Sequence, residues 1–203
     1  MSAVIGGENR GQGQLAGYGS KAYRNYVLLA LTLIYILNFV DRALLAVVGP
    51  DLVPDLKITD TQFGLLTGFG FALLYTAVGI PLARFADVGH RVWIMTICVA
   101  LWSLMTAACG LATEVTIGSI TIGAFWILLI CRVGVGIGEA GCTPPANSLI
   151  ADYFIPRERS QALGFYAMGV TLGTMFANLI GGWVTDVFDW RTAFFVVGLP
   201  GLL

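Results

Sequence analysis

Three stretches of the chain, residues 61–83, 92–113 and 160–185, contain no Asp, Glu, Lys or Arg. Each is longer than the roughly 20 apolar residues a helix needs to cross a hydrocarbon core of about 30 Å. A compact soluble molecule keeps too much of its surface in water to hide such runs. Composition agrees: 57% of the residues are hydrophobic and 11% charged, against roughly 25% charged in an ordinary soluble domain. The expected fold class is an all-α integral membrane protein whose first partner is the lipid bilayer.

The other spans need more argument. Residues 25–40 carry no charge but are too short alone, so the first helix is expected over 26–48 with Asp41 and Arg42 inside it. The second and third are expected over 61–85 and 92–111. The fourth has two readings. Residues 115–131 would cross alone with Arg132 snorkelling at the interface, or a helix over 124–151 holds Arg132 and Glu139 within it. The first leaves the apolar, glycine-rich residues 133–151 without a place, which favours the second. The fifth is expected over 160–184. The sixth, over 192–203, is still apolar at Leu203 and reads as a truncated span. Residues 1–25 are polar and glycine-rich, with no apolar core of a signal sequence, and read as a disordered cytoplasmic tail.

Basic residues set the orientation. The tail and residues 84–91 and 157–159 hold Arg10, Lys21, Arg24, Arg84, Arg91, Arg157 and Arg159, whereas the alternate loops hold only Lys57 and Arg191. This bias puts the N-terminus in the cytoplasm, and the expected location is a bacterial inner membrane. Trp93 falls at the cytoplasmic boundary, and Trp126, Trp183 and Trp190 near the opposite one.

Several function classes drop out. A net charge of −1 offers no basic surface to nucleic acid. Cys98, Cys109, Cys131 and Cys142 all lie in apolar stretches without a CxxC pair and read as small buried hydrophobes. His90, the single histidine, has no ligand-spaced companions, so neither a metal nor a cofactor is expected. No HExxH or GxSxG sequence suggests an enzyme. A channel would be expected to show charge rings or a filter loop.

Asp41, Arg42, Arg132 and Glu139 then remain inside the spans. Each would cost about 2.5–3.5 kcal/mol on insertion scales if it faced lipid, and their charges sum to zero. From the expected spans, Asp41, Arg42 and Arg132 lie at one depth. The plain reading is an ion-pair lock between two helices; the functional one is a substrate or ion path, where ionisable residues at such depth usually sit. Spacing adds to this. Arg132, Gly136, Glu139 and Thr143 share one face of the fourth helix, with Gly134, Gly138 and Gly141 on nearly the opposite side. Tyr35, Asn38 and Arg42 share a face of the first helix, and Thr171, Thr174 and Asn178 one of the fifth. Gly169-Val-Thr-Leu-Gly173 offers a packing surface. Three polar faces suggest a common aqueous cavity. Pro144-Pro145, following Glu139, removes two backbone donors, as a simple kink or as broken backbone lining a watery space.

Against this background the sequence after the tail resembles the major facilitator superfamily. Arg132-Val-Gly-Val-Gly-Ile-Gly138-Glu139-Ala-Gly is similar to the arginine–glycine signature of that family's fourth helix. Asn38-Phe-Val-Asp41-Arg42 and Cys142-Thr-Pro-Pro-Ala-Asn-Ser-Leu-Ile-Ala-Asp152-Tyr-Phe resemble its spinster-like and anion-symporter branches. Asp87 and Arg91 match the acid and base of the family's gating motif, although Ala83, Val88 and His90 stand where glycine, a base and a second glycine are usual. Gly182-Trp-Val-Thr-Asp186 with Arg191 echoes that pattern on the other side, as a 3+3 inverted repeat would.

The resemblance implies the N-terminal six-helix half of a 12-helix alternating-access secondary transporter, with a second six-helix half as its partner. Arg42, Asn38, Tyr35, Arg132, Thr171 and Asn178 become the expected substrate-binding residues. Asp41 and Glu139 are the expected proton-coupling pair, since burial raises a carboxylate's affinity for protons. Asp87 and Arg91 are the expected gate. The implied cargo is a lysolipid or sphingoid-type anion, with small organic anions such as sugar acids as the alternative; protons are the expected coupling ion.

Overall fold

The computed structural model describes residues 19–68, 76–77, 81, 90–117 and 120–202. Helix α1, Lys21–Leu56, opens at Ser20, whose hydroxyl accepts from the Tyr23 N–H at 3.3 Å. It therefore includes residues 21–25, which the sequence reading left in the tail. Pro50 and Pro54 sit inside the helix without ending it; Lys57, at φ 53°, closes it in the left-handed conformation. Helix α2, Asp60–Thr67, follows at once, because Thr59 and Gln62 form a reciprocal capping box that satisfies two free N–H groups. Most of the expected second span, including Asp87, lies outside the described residues.

Helix α3, Arg91–Cys109, leads to a short antiparallel hairpin, β1 (Val115–Ile117) and β2 (Ile120–Ile122), with Val115 opposite Ile122. This hairpin departs from an entirely helical chain. β-branched residues fill it, and they favour a pleated strand over a helix. The fourth span begins at Ala124 and divides in two: α4, Ala124–Ala140, and α5, Thr143–Tyr153. The division falls where Pro144 and Pro145 occupy the first turn of α5, so the carbonyls of Ala140 and Gly141 lose their helical donors. The Cys142 N–H instead bonds the Glu139 carbonyl at 3.1 Å.

Helix α6, Pro156–Phe176, starts on a proline, where the missing N–H costs nothing. It passes through a wide π turn, Ala177–Gly181, into α7, Gly182–Val187. Helix α8, Trp190–Gly198, is capped by Asp189, which accepts from the Thr192 N–H at 2.6 Å, and tightens into a 3₁₀ turn, Leu199–Leu202. Hydrogen bonds from the Thr192 hydroxyl and N–H hold the Asp189 carboxyl below its usual range. Among the described residues, four helical stretches are long and apolar enough to cross a membrane: Lys21–Leu56, Arg91–Cys109, Ala124–Tyr153 and Pro156–Val187.

Glycines decide which helices touch. On α6, a Cβ at Gly169 would lie 2.9 Å from the Tyr35 ring, and one at Gly173 would lie 2.6 Å from the Ile36 carbonyl oxygen of α1. On α4, a Cβ at Gly138 would stand 2.6 Å from the Cys98 carbonyl oxygen of α3. Thus α1 packs on α6 and α3 packs on α4, backbone to backbone. Helix α8 packs against both α3 and α1. Apolar clusters fill the two ends of the bundle. Toward the Leu56 end, Leu44, Leu45, Val48, Leu128 and Phe194 are buried together. Toward the Lys21 end, Leu31, Met95, Ile150 and Tyr166 are. A polar layer separates them.

Candidate functional site: a charge layer between two helices

Asp41 and Arg42 are consecutive on α1, so their side chains leave the helix about 100° apart. Asp41 turns toward α3 and α4. Its Oδ2 accepts from Arg132 Nη1 at 3.1 Å and its Oδ1 from the Thr106 hydroxyl at 2.6 Å. Asp41 is 1% exposed and Arg132 3%. Arg42 goes elsewhere. Its Nε donates to Glu139 Oε2 at 2.6 Å, and its guanidinium carbon lies 5.3 Å from the Phe39 ring centroid. Helix side chains lean toward their own N-terminus. On α1 this is the direction in which antiparallel α4 continues from Arg132 to Glu139.

The four charges thus form two cross-helix pairs, closed in sign, with Asp41, Arg132 and Glu139 buried and Arg42 partly exposed. A buried pair contributes little net stability, because desolvation offsets most of the attraction, but removing one partner alone is costly. The pairs are not equivalent. Asp41 has both oxygens engaged. Glu139 has its second oxygen, Oε1, fully buried and without a hydrogen-bond partner, and Arg42 keeps 27% of its side chain exposed. The Arg42–Glu139 pair is the open side of the layer.

Other expected site residues fall elsewhere. Tyr35 stacks on Tyr166 of α6 at 4.3 Å between ring centroids, in the α1–α6 contact. Asn38 is buried on α1. Thr171, Thr174 and Asn178 share an exposed face of α6 and its π turn, away from the face that Gly169 and Gly173 press on α1. The Thr174 hydroxyl and the Asn178 amide bond back to the carbonyls of Val170 and Thr174. The structure therefore gathers Asp41, Arg42, Arg132 and Glu139 but not the α6 stripe. Arg91 donates to the Asp152 carboxylate, joining the start of α3 to the end of α5.

Sequence reasoning missed three participants. Thr106 sits in a charge-free helix and gains meaning only from its contact with Asp41. Asp152 lies at a helix end with no local base. Asp55 is the hub of a third cluster at the Leu56 end. Its Oδ2 accepts from Trp190 Nε1 at 3.1 Å and Arg191 Nη2 at 3.0 Å, while Arg191 Nη1 reaches the Ala112 carbonyl at 2.9 Å. Trp190, expected near the boundary opposite the cytoplasm, is buried at the Leu56 end, where its indole N–H meets a carboxylate.

Residues 31–203 match the family model described as Major Facilitator Superfamily. An "MFS-type efflux pump" of Mycolicibacterium smegmatis is 36% identical over 83% of this chain and 37% of its own length. A "D-galactonate transporter" of Escherichia coli is 31% identical over 91% of this chain and 40% of its own. A crystal structure described as a bacterial homolog to the human lysosomal transporter Spinster, inward-facing and unoccupied, superposes with a TM-score of 0.80. It is 46% identical and covers 91% of this chain and 42% of its own. The chain spans about two fifths of the length of these relatives.

Proposed function

The chain belongs to the major facilitator superfamily, and from that premise we propose that it is the N-terminal six-helix bundle of a proton-coupled secondary transporter. Its N-terminus is cytoplasmic, the membrane is a bacterial inner membrane, and a second six-helix half completes the cavity. The observation that carries the reading is the Arg42–Glu139 pair. A partly exposed guanidinium holds one oxygen of a fully buried carboxylate whose other oxygen has no partner. An arriving anion competes with Glu139 for Arg42, and an arriving proton releases Arg42 to the anion. Either event changes the force between α1 and α4, which is the differential interaction that a two-state switch requires.

Asp41, saturated by Arg132 and Thr106, shares the proton-coupling role by holding Arg132 in place. Tyr35, Asn38, Arg42 and Arg132 face substrate from this bundle, and Thr171 and Asn178 from the α6 face that meets the second half. Asp87 and Arg91 form the cytoplasmic gate. The substrate is an amphipathic anion of the lysolipid or sphingoid type, a reading supported by the 46% identity to the Spinster homolog. Small sugar-acid anions are the second reading, supported by the likeness to the D-galactonate transporter.

The test is flux into proteoliposomes by the transporter that contains this bundle, with lysophospholipid and galactonate as separate cargoes under an imposed pH gradient. Uptake of the lysophospholipid that collapses with the gradient is the expected result. Galactonate uptake alone would move the assignment to the second reading. Flux of either cargo that ignores the gradient would overturn proton coupling.

A further inference from the structure

At the Lys21 end of the bundle, α1, the close of α5 and the start of α6 line a half-open cavity of about 280 Å³ that the charge layer does not use. Its lining is ordered by depth. Helices α1 and α6 both enter the membrane from this end, so position along each chain measures depth. On α1, Lys21, Arg24 and Asn25 come first and Leu28 follows a turn deeper; on α6, Glu158 and Gln161 come first and Ala162 and Phe165 follow. On both helical walls polar groups thus lie toward the mouth and apolar groups toward the floor, and Phe154, between α5 and α6, adds an apolar surface at the mouth end. Tyr23, Tyr26 and Trp93 are 50%, 67% and 68% exposed at the same end, as aromatic residues are where a bilayer meets water.

The charges in the lining are Lys21 and Arg24 against Glu158, an excess of one positive. Among the described residues Lys21 makes no ion pair. Arg24 is held loosely: Nη1 lies 3.2 Å from Glu158 Oε2, its guanidinium carbon is 5.7 Å from the Phe154 ring centroid, and Nε is buried without a partner. Arg157 and Arg159 flank Glu158 in sequence, and Arg159 Nε donates to the Phe154 carbonyl at 2.9 Å.

We propose that this cavity holds one anionic phospholipid from the leaflet on the Lys21 side. Its phosphodiester sits between Lys21 and Arg24, and the first carbons of an acyl chain lie on Leu28 and Phe165. The order of the lining is the order of the ligand: charge at the headgroup level, apolar wall one turn below. Free phosphate would use the mouth and leave the floor in water, which favours a lipid as the source of the anion. The site depends on membrane insertion alone and stands apart from the transport reading.

Native mass spectrometry of the chain released from detergent micelles tests it, with phosphatidylglycerol and phosphatidylcholine offered in equal amounts. One retained phosphatidylglycerol per chain, in preference to phosphatidylcholine, is expected. Lys21→Gln and Arg24→Gln should each weaken retention about fivefold, as expected for the loss of one interfacial charge. Glu158→Gln should strengthen it, because it removes the carboxylate that competes for Arg24. A merely structural ion pair predicts the reverse for Glu158→Gln, so this variant decides even where Arg24→Gln fails to fold. Equal retention of both lipids, or displacement of phosphatidylglycerol by millimolar inorganic phosphate, would overturn the lipid site.

Discussion

Replacing Asp41 by Leu removes the carboxylate that Arg132 faces in the middle of the bundle. At 3.1 Å and an effective dielectric of about 20, the lost attraction is about 5 kcal/mol. That agrees with the roughly 3–5 kcal/mol cost of breaking a buried pair from one side. Glu139, two turns along α4, compensates in part and keeps the loss near the lower figure. Arg132→Met should cost less than Asp41→Leu, because the latter leaves a buried guanidinium that cannot shed its charge. Asp41 also keeps its bond from Thr106, whereas Asp41→Leu orphans that hydroxyl. The double variant, with apolar side chains on both helices, should be more stable than either single one, giving a coupling of about 3 kcal/mol. Titration of the chain with SDS in mixed micelles, followed by circular dichroism, measures all three. Additivity within about 0.5 kcal/mol would mean that the two residues do not act as a pair in the membrane.

Three further outcomes are expected. Gly138→Ala sets a methyl 2.6 Å from the Cys98 carbonyl oxygen and should destabilise the same titration by about 1–3 kcal/mol, whereas Gly164→Ala, in open space, should gain about 0.5–1 kcal/mol; equal signs would refute the packing argument. Glu139→Gln should erase one limb of the pH–flux profile of the transporter that contains this bundle, with inserted protein unchanged; an unaltered profile removes Glu139 from proton coupling. Asp189→Ala should fray the start of α8 by about 1 kcal/mol at neutral pH. Because the folded carboxyl titrates lower than the unfolded one, this contribution is present above the unfolded pKa and fades as pH falls through the folded one; a penalty that persists in strong acid would show that the charge is not what caps the helix.

The membrane class and the family were legible because long charge-free runs and the Arg132–Glu139 signature are local properties of the chain. Four in-membrane charges of zero sum were legible too. Their partners were not, since adjacent Asp41 and Arg42 share a depth and only the azimuth of α1 against α4 decides which carboxylate each base meets. Spacing shows that Thr171, Thr174 and Asn178 share a face of α6, not where that face points. The glycines at 169 and 173 supply the direction within this bundle: backbones approach closest where side chains are absent, so that side faces α1 and the stripe faces away from it. Trp190 shows the same limit: a place near a span end says nothing of whether a ring faces lipid or protein, and here the indole N–H beside Asp55 is satisfied inside.

The two pairs of the charge layer have a consequence for voltage. Moving one elementary charge through 100 mV costs about 2.3 kcal/mol. A bundle carrying unbalanced charge across the midplane would be biased toward one orientation by the membrane potential alone. Here Asp41 cancels Arg132 and Arg42 cancels Glu139 within hydrogen-bonding distance. If the bundle tilts in the proposed cycle, the field does almost no work on the layer. Current contributed by this bundle would then count what the layer picks up, one proton or one anion at a time, and the reversal potential would read the proposed stoichiometry.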